Sequence, residues 1–112
     1  MRRYLDSLAA RDWDQVRSTL ASDVVRRGPY RDDYRGADDY ARFLQHTIDA
    51  LADYRLDIRA VWGSEEGVVA ELAEEASVDG RRLRTDEAIV FRFDGTGQIA
   101  EVSVFLQRSY EP

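Results

Sequence analysis

Glu74 and Glu87 are the residues of this chain whose type and placement point most directly to chemistry. They lie in AELAEEASVDGRRLRTDEAIVFRF, residues 70 to 93, where Asp79-Gly80 is a strong two-residue turn signal between flanks of β-branched and aromatic residues. With a tight turn there, Val78 opposes Arg81. One face then carries Val68, Ala70, Leu72, Glu74, Ala76 and Val78 against Phe91, Ile89, Glu87, Thr85, Leu83 and Arg81. That face is the more apolar, so two carboxylates are expected on a side that otherwise favours burial. A carboxyl removed from water without a partner is costly: its pKa rises, or it needs a cation or donor nearby. A perturbed acid in a cavity is suited to general acid–base work. The competing reading puts one of the two at the open rim of the sheet, solvated and inert.

The opposite face sets Val69, Glu71, Ala73, Glu75 and Ser77 against Val90, Ala88, Asp86, Arg84 and Arg82. Glu75 then opposes Arg84, with Asp86 in diagonal reach of Glu71 and Glu75. This is an exposed or dimer-facing charge lattice whose pairs are individually worth little.

The elements that must position this hairpin follow from periodicity. Tyr4, Leu5 and Leu8 predict an amphipathic helix over residues 1 to 11, and Asp12 with Gln15 resembles a capping box opening a second helix that carries Trp13, Val16 and Leu20. VVRRGPY is a short strand that Gly28-Pro29 ends, followed by the polar loop RDDYRGADD. Tyr40, Phe43, Leu44, Ile48 and Leu51 predict a third helix from Asp38 or Asp39 to Leu51. From residue 54 the period becomes two, in YRLDIRAVWG, GVVAELAEEASV, RRLRTDEAIVFRF and QIAEVSVFLQRS, which predicts four meandering antiparallel strands. Three helices followed by such a sheet make an α+β domain with the helices on one sheet face.

Composition narrows the function. The 112 residues, 44% of them apolar, suit one domain spanning 1–112. The apolar runs are too short for a signal peptide or membrane span, which predicts a soluble cytoplasmic protein. Cysteine and lysine are absent, so disulfides, thiolate chemistry, Schiff bases and lysine-dependent phosphate loops are excluded. One histidine cannot build a multi-histidine metal site, and no metal or cofactor is expected. A net charge of −6 without a basic block argues against nucleic acid.

The run RYLDSLAARDWDQVRSTLASDVVRRGPYRDDYRGADDYARFL, with the closing FRFDGTGQIAEVSVFLQR, resembles the nuclear transport factor 2-like superfamily, most closely its SnoaL-like and ketosteroid-isomerase-like bacterial members. The resemblance implies a cystatin-like cone: three helices on a strongly curved, mostly antiparallel sheet, a deep apolar central pocket, and frequent homodimerisation through the outer sheet face. Ketosteroid isomerases of this kind use a tyrosine on the first helix, an aspartate base before a proline at the end of the first strand, and a second acid on a later strand. Aligned on them, Tyr4 takes the tyrosine position, but Gly28 and Ile89 replace the two acids. The Asp-Arg-Asp arrangement of limonene-epoxide-hydrolase-like relatives falls on Ser77, Glu75 and Val104, so neither familiar site is complete.

The same alignment turns Val24, Arg26 and Gly28 inward, where Arg26 is placed to approach Glu74 or Glu87. The expected catalytic cluster is therefore Glu74, Glu87, Tyr4 and Arg26, with Tyr30, Leu72, Ile89, Phe91, Val102 and Val104 lining a small hydrophobic ligand's pocket. Self-neutralisation of an Arg-Glu pair inside a cavity is the structural alternative. His46 lies off the apolar stripe of its helix and reads as a surface residue. Tyr30 and Tyr34 either line the pocket mouth or pack over a helix end. Trp13 and Trp62 read as packing residues, Trp62 with a further expectation at a subunit interface. Two functions follow: a cofactor-independent isomerase, cyclase or hydrolase acting on a small hydrophobic metabolite, or a non-catalytic ligand-binding or dimeric assembly module. A closed interior at Tyr4 would favour the second.

Overall fold

Apolar residues at helical spacing carry the N-terminal half of the chain onto the sheet formed by the C-terminal half. In the computed structural model, which describes residues 1–107, α1 spans Arg2–Ala9, α2 Trp13–Ser18 and α3 Ala37–Asp49. The strands are β1 (Leu20–Arg27), β2 (Tyr34–Arg35), β3 (Ala52–Gly63), β4 (Gly67–Val78), β5 (Arg81–Phe93) and β6 (Ile99–Gln107). The last two residues of the fourth expected meander strand, Arg108 and Ser109, lie outside the described residues, as does the end of the 1–112 domain.

The six strands form one mixed sheet in the order β2-β1-β6-β5-β4-β3. β3 to β6 are the expected antiparallel meander. β1 instead runs parallel to β6 (Arg26 beside Val102), a pairing between distant parts of the chain that no local pattern announces. β1 also begins earlier than VVRRGPY, because Ala21 to Asp23 are already extended where the β1–β6 register shifts between Leu20 and Val25. The loop expected after Pro29 contains the two-residue strand β2, antiparallel to β1.

Asp12 caps α2 by accepting from the Gln15 amide at 3.2 Å. Asp38 and Asp39 occupy the first turn of α3, where negative charge complements the helix dipole. All three helices bury their apolar stripes on the inner sheet face: Tyr4, Leu5 and Leu8, then Val16, then Tyr40, Leu44 and Ile48, meet Val24, Leu72, Ile89, Phe91 and Val102 in one core. Each fully buried side chain of this size stabilises the fold by about 1.5–3 kcal/mol.

Candidate active site

The β4–β5 hairpin positions the acids as its turn dictates. Asp79 and Gly80 both take positive φ, 51° and 77°, the conformation of a two-residue turn that matches strand twist. Val78 pairs with Arg81, Glu74 with Thr85 and Leu72 with Glu87, so the two glutamates are diagonal neighbours on the inner face. Glu87 is 7% exposed, whereas Glu74 is half-buried. Their outward neighbours form the expected lattice: Glu75 bonds Arg82 and Arg84, and Asp86 bonds Arg84 and Arg59.

A third polar group comes from β3. Tyr54 shares the inner face with Leu56 and Ile58, and its hydroxyl donates to Glu74 Oε2 at 2.6 Å. The β3–β4 register shifts between Ala52 and Arg55, and Asp53 takes a positive φ of 51° with its carbonyl held by Arg82. This irregular strand start sets Tyr54 over Glu74. The three groups, with Leu51, Glu75, Ala76, Val78, Leu83 and Thr85, line a cleft of about 210 Å³. That volume lies below the usual range of drug-sized sites and suits a compact molecule.

Burial pushes the Glu87 carboxyl up to about 10, assisted by a hydrogen bond with Glu74 and by that residue's negative charge; the Arg26 guanidinium works the other way. Near neutral pH Glu87 therefore keeps its proton, beside Glu74. Burial, then the charge and hydrogen bond of Glu74, raise the Tyr54 phenol well above its ordinary value, so it remains a donor. A proton-bearing carboxyl beside a second carboxyl is an arrangement that can deliver one proton and accept another.

The other expected site residues do not line this cleft. Tyr4 is 2% exposed, its hydroxyl 2.5 Å from that of Tyr40 and its ring edge-on to Phe91 at 5.5 Å. Burial raises both phenols, Tyr40 to about 12. Leu72, Ile89, Phe91 and Val102 are core residues and Val104 packs against them, so the expected hollow at Tyr4 is filled by side chains. Arg26 makes its ion pair with Asp32 at 2.8 Å rather than with either glutamate, and its guanidinium lies 4.8 Å from the centre of the Phe43 ring. Tyr30 does not line the acid cleft: it is 64% exposed, and its amide donates to Asp32 Oδ1. Tyr34 stacks on Phe43 of α3 at 4.2 Å, which is the helix-packing alternative. His46 is exposed, Trp13 packs on the core, and Trp62 is 55% exposed.

Sequence reasoning missed Tyr54 and Asp32. Alternation in YRLDIRAVWG puts Tyr54 on the Leu56–Ile58 face and so carried a signal; Asp32, in an irregular loop, offered none. A Cβ at Gly28 would overlap the Asp32 carboxylate, which folds back beneath it to reach Arg26. Among the described residues no cluster of three or more histidine, cysteine, aspartate or glutamate side chains is placed to hold a metal ion. No described helix is long and apolar enough to cross a membrane.

The fold recurs widely among solved structures. An NTF2-like protein of unknown function from Exiguobacterium sp. 255-15 superposes with a TM-score of 0.84 at 18% identity, over 96% of this chain and 98% of that one. An LEH-like epoxide hydrolase from M. tuberculosis superposes at 0.81 and 20% identity, over 95% of this chain and 78% of the other. A protein with a ketosteroid isomerase-like fold from Catenulispora acidiphila, solved with trimethylamine, superposes at 0.83 and 11% identity, over 93% and 82%. Among curated proteins none matches in sequence. Residues 1–102, from α1 into β6, match the SnoaL-like domain, and the chain belongs to that family.

Proposed function

We propose that this SnoaL-like protein is a cofactor-independent cytoplasmic enzyme, acting by general acid–base chemistry on a small hydrophobic molecule in the Tyr54–Glu74–Glu87 cleft. The reading rests on one observation: a buried, proton-holding Glu87 beside Glu74 in a cleft with an apolar rim. Glu87 delivers its proton to a substrate oxygen while Glu74, anchored by Tyr54, withdraws one from carbon or water. A proton then passes between the two carboxyls, which lie within hydrogen-bonding reach, and restores the starting state. Isomerisation, cyclisation and epoxide opening all need this exchange, and the LEH-like epoxide hydrolase among the structural neighbours supports the last of these. The test is turnover of a panel of small epoxides and enolisable ketones by wild type, Glu74→Gln and Glu87→Gln. Each substitution should cost at least about 100-fold with the fold intact. A raised Tm with unchanged turnover would remove the proposal.

The closed interior at Tyr4 favours a second reading, a non-catalytic ligand-binding or dimeric assembly module. On the outer sheet face Trp62 is paired with Val69, Val69 with Val90, and Ala88 with Phe105, which is 59% exposed. This apolar strip bordered by charge supports a homodimer. Sedimentation of a monomer at micromolar concentration would exclude it.

A further inference from the structure

The chain contains no asparagine and two Asp-Gly pairs, Asp79-Gly80 between β4 and β5 and Asp94-Gly95 between β5 and β6. We propose that Asp79-Gly80 is a site of self-modification, where the Gly80 amide nitrogen attacks the Asp79 carboxyl and the turn passes through a succinimide to an isoaspartyl linkage. The bond from nitrogen to Cγ forms as the bond from Cγ to the carboxyl hydroxyl breaks, and the amide proton leaves with that hydroxyl as water. Water then opens the ring. Attack at Cγ restores aspartate; attack at the main-chain carbonyl leaves isoaspartate, with an extra methylene in the backbone. The only reactants are the chain and water.

Both glycines are open: a Cβ at Gly80 or at Gly95 would meet nothing within 4 Å. The aspartates differ. Asp94 Oδ1 accepts from the Thr96 hydroxyl at 2.6 Å, the Thr96 amide at 2.9 Å and the Gln98 amide at 3.1 Å. These bonds, led by the Thr96 hydroxyl, hold its carboxyl below the usual range. A carboxyl fixed as an anion is a poor electrophile, and it must shed its donors before the neighbouring nitrogen reaches Cγ. Asp79 is exposed, and its carboxylate makes no hydrogen bond or ion pair among the described residues. Val78 and Arg81 are the pair that closes its turn, which leaves the Gly80 nitrogen outside the ladder. The φ of 51° at Asp79 is a conformation that a non-glycine residue holds at a cost, so leaving it for the attack geometry is cheaper than leaving a relaxed turn. This same turn sets the register that puts Glu74 and Glu87 on the inner face, so a longer backbone there acts on the acid cleft.

Trypsin releases residues 60–81 and 93–108 as peptides with one aspartate each, so the two sites are read separately. The intact protein is warmed at neutral pH, and isoaspartate in each peptide is followed over time by electron-transfer fragmentation, which distinguishes it from aspartate. Isoaspartate at Asp79 should accumulate at least about tenfold faster than at Asp94, the factor for releasing a single hydrogen bond to a charged group. In the chain unfolded by guanidinium the two rates should converge. Thr96→Ala should speed conversion at Asp94 and leave that at Asp79 unchanged. The isoaspartyl fraction, isolated by chromatography, should have a lower Tm; an unchanged Tm overturns the effect on the hairpin register. Equal rates in the folded protein, or an Asp79 that converts only after unfolding, overturn the modification site itself. Should Thr96→Ala fail to fold, the comparison of folded and unfolded wild type decides.

Discussion

Tyr54 and Glu74 meet across neighbouring strands, the phenol hydroxyl 2.6 Å from the carboxylate, in a hydrogen bond that joins the edge strand β3 to the acids of the β4–β5 hairpin. Tyr54→Phe keeps the ring and removes the donor. The expected loss is about 1.5–3 kcal/mol, the range for a hydrogen bond to a charged group. Urea denaturation should show a lower midpoint at unchanged slope.

Glu87→Gln should stabilise the protein, and more so in alkali. Below the ordinary value of 4.5 both folded and unfolded states hold the proton; from there up to about 10 only the folded state retains it. Wild-type stability therefore falls as pH rises through that window, by at most about 1.4 kcal/mol per pH unit. Glutamine has no proton to lose. The Tm advantage of the variant should be large at pH 8 and shrink toward pH 4; an advantage constant with pH would contradict the assignment.

Tyr4→Phe distinguishes a structural tyrosine from a catalytic one. The substitution breaks the Tyr4–Tyr40 pair inside the core, at an expected cost of about 1–3 kcal/mol. Ligand affinity and turnover at the acid cleft should stay within about twofold, since Tyr4 does not line it. A large loss of kcat without a loss of stability would return Tyr4 to the site.

Gly28→Ala tests the support beneath Arg26. The added methyl would overlap the Asp32 carboxylate and crowd the Arg26 guanidinium. Displacing Asp32 strips a buried arginine of its ion-pair partner, with an expected destabilisation of about 3–5 kcal/mol. Thermal unfolding of Gly28→Ala beside Asp32→Asn checks it: the two should lose similar stability, and their combination little more than either.

Legibility in the sequence followed the range of each interaction. The hairpin register was readable because Asp79-Gly80 is a local signal and alternation then fixes every pair down to Gly67 and Arg92. The inward aim of Glu74 and Glu87 came with it. Tyr54 was half-legible: its face follows from alternation, but its meeting with Glu74 depends on the irregular start of β3. The parallel β1–β6 pairing and the Arg26–Asp32 bond join residues with no shared pattern, so nothing local could reveal them. The filled interior depends on how the volumes of Tyr4, Tyr40 and Phe91 add up in three dimensions, which periodicity does not measure.

The parallel contact of β1 with β6 also orders events on the ribosome. Leu20 leaves the exit tunnel early, yet its partner Ile99 is among the last described residues to be translated. Until then the apolar faces of the helices lack the β6 part of the sheet that covers them. Closing so long a loop carries an entropic cost that local hairpins avoid. The meander β3–β5 can form during synthesis, but β1 has no strand to join on that side until residues 99–107 have been made.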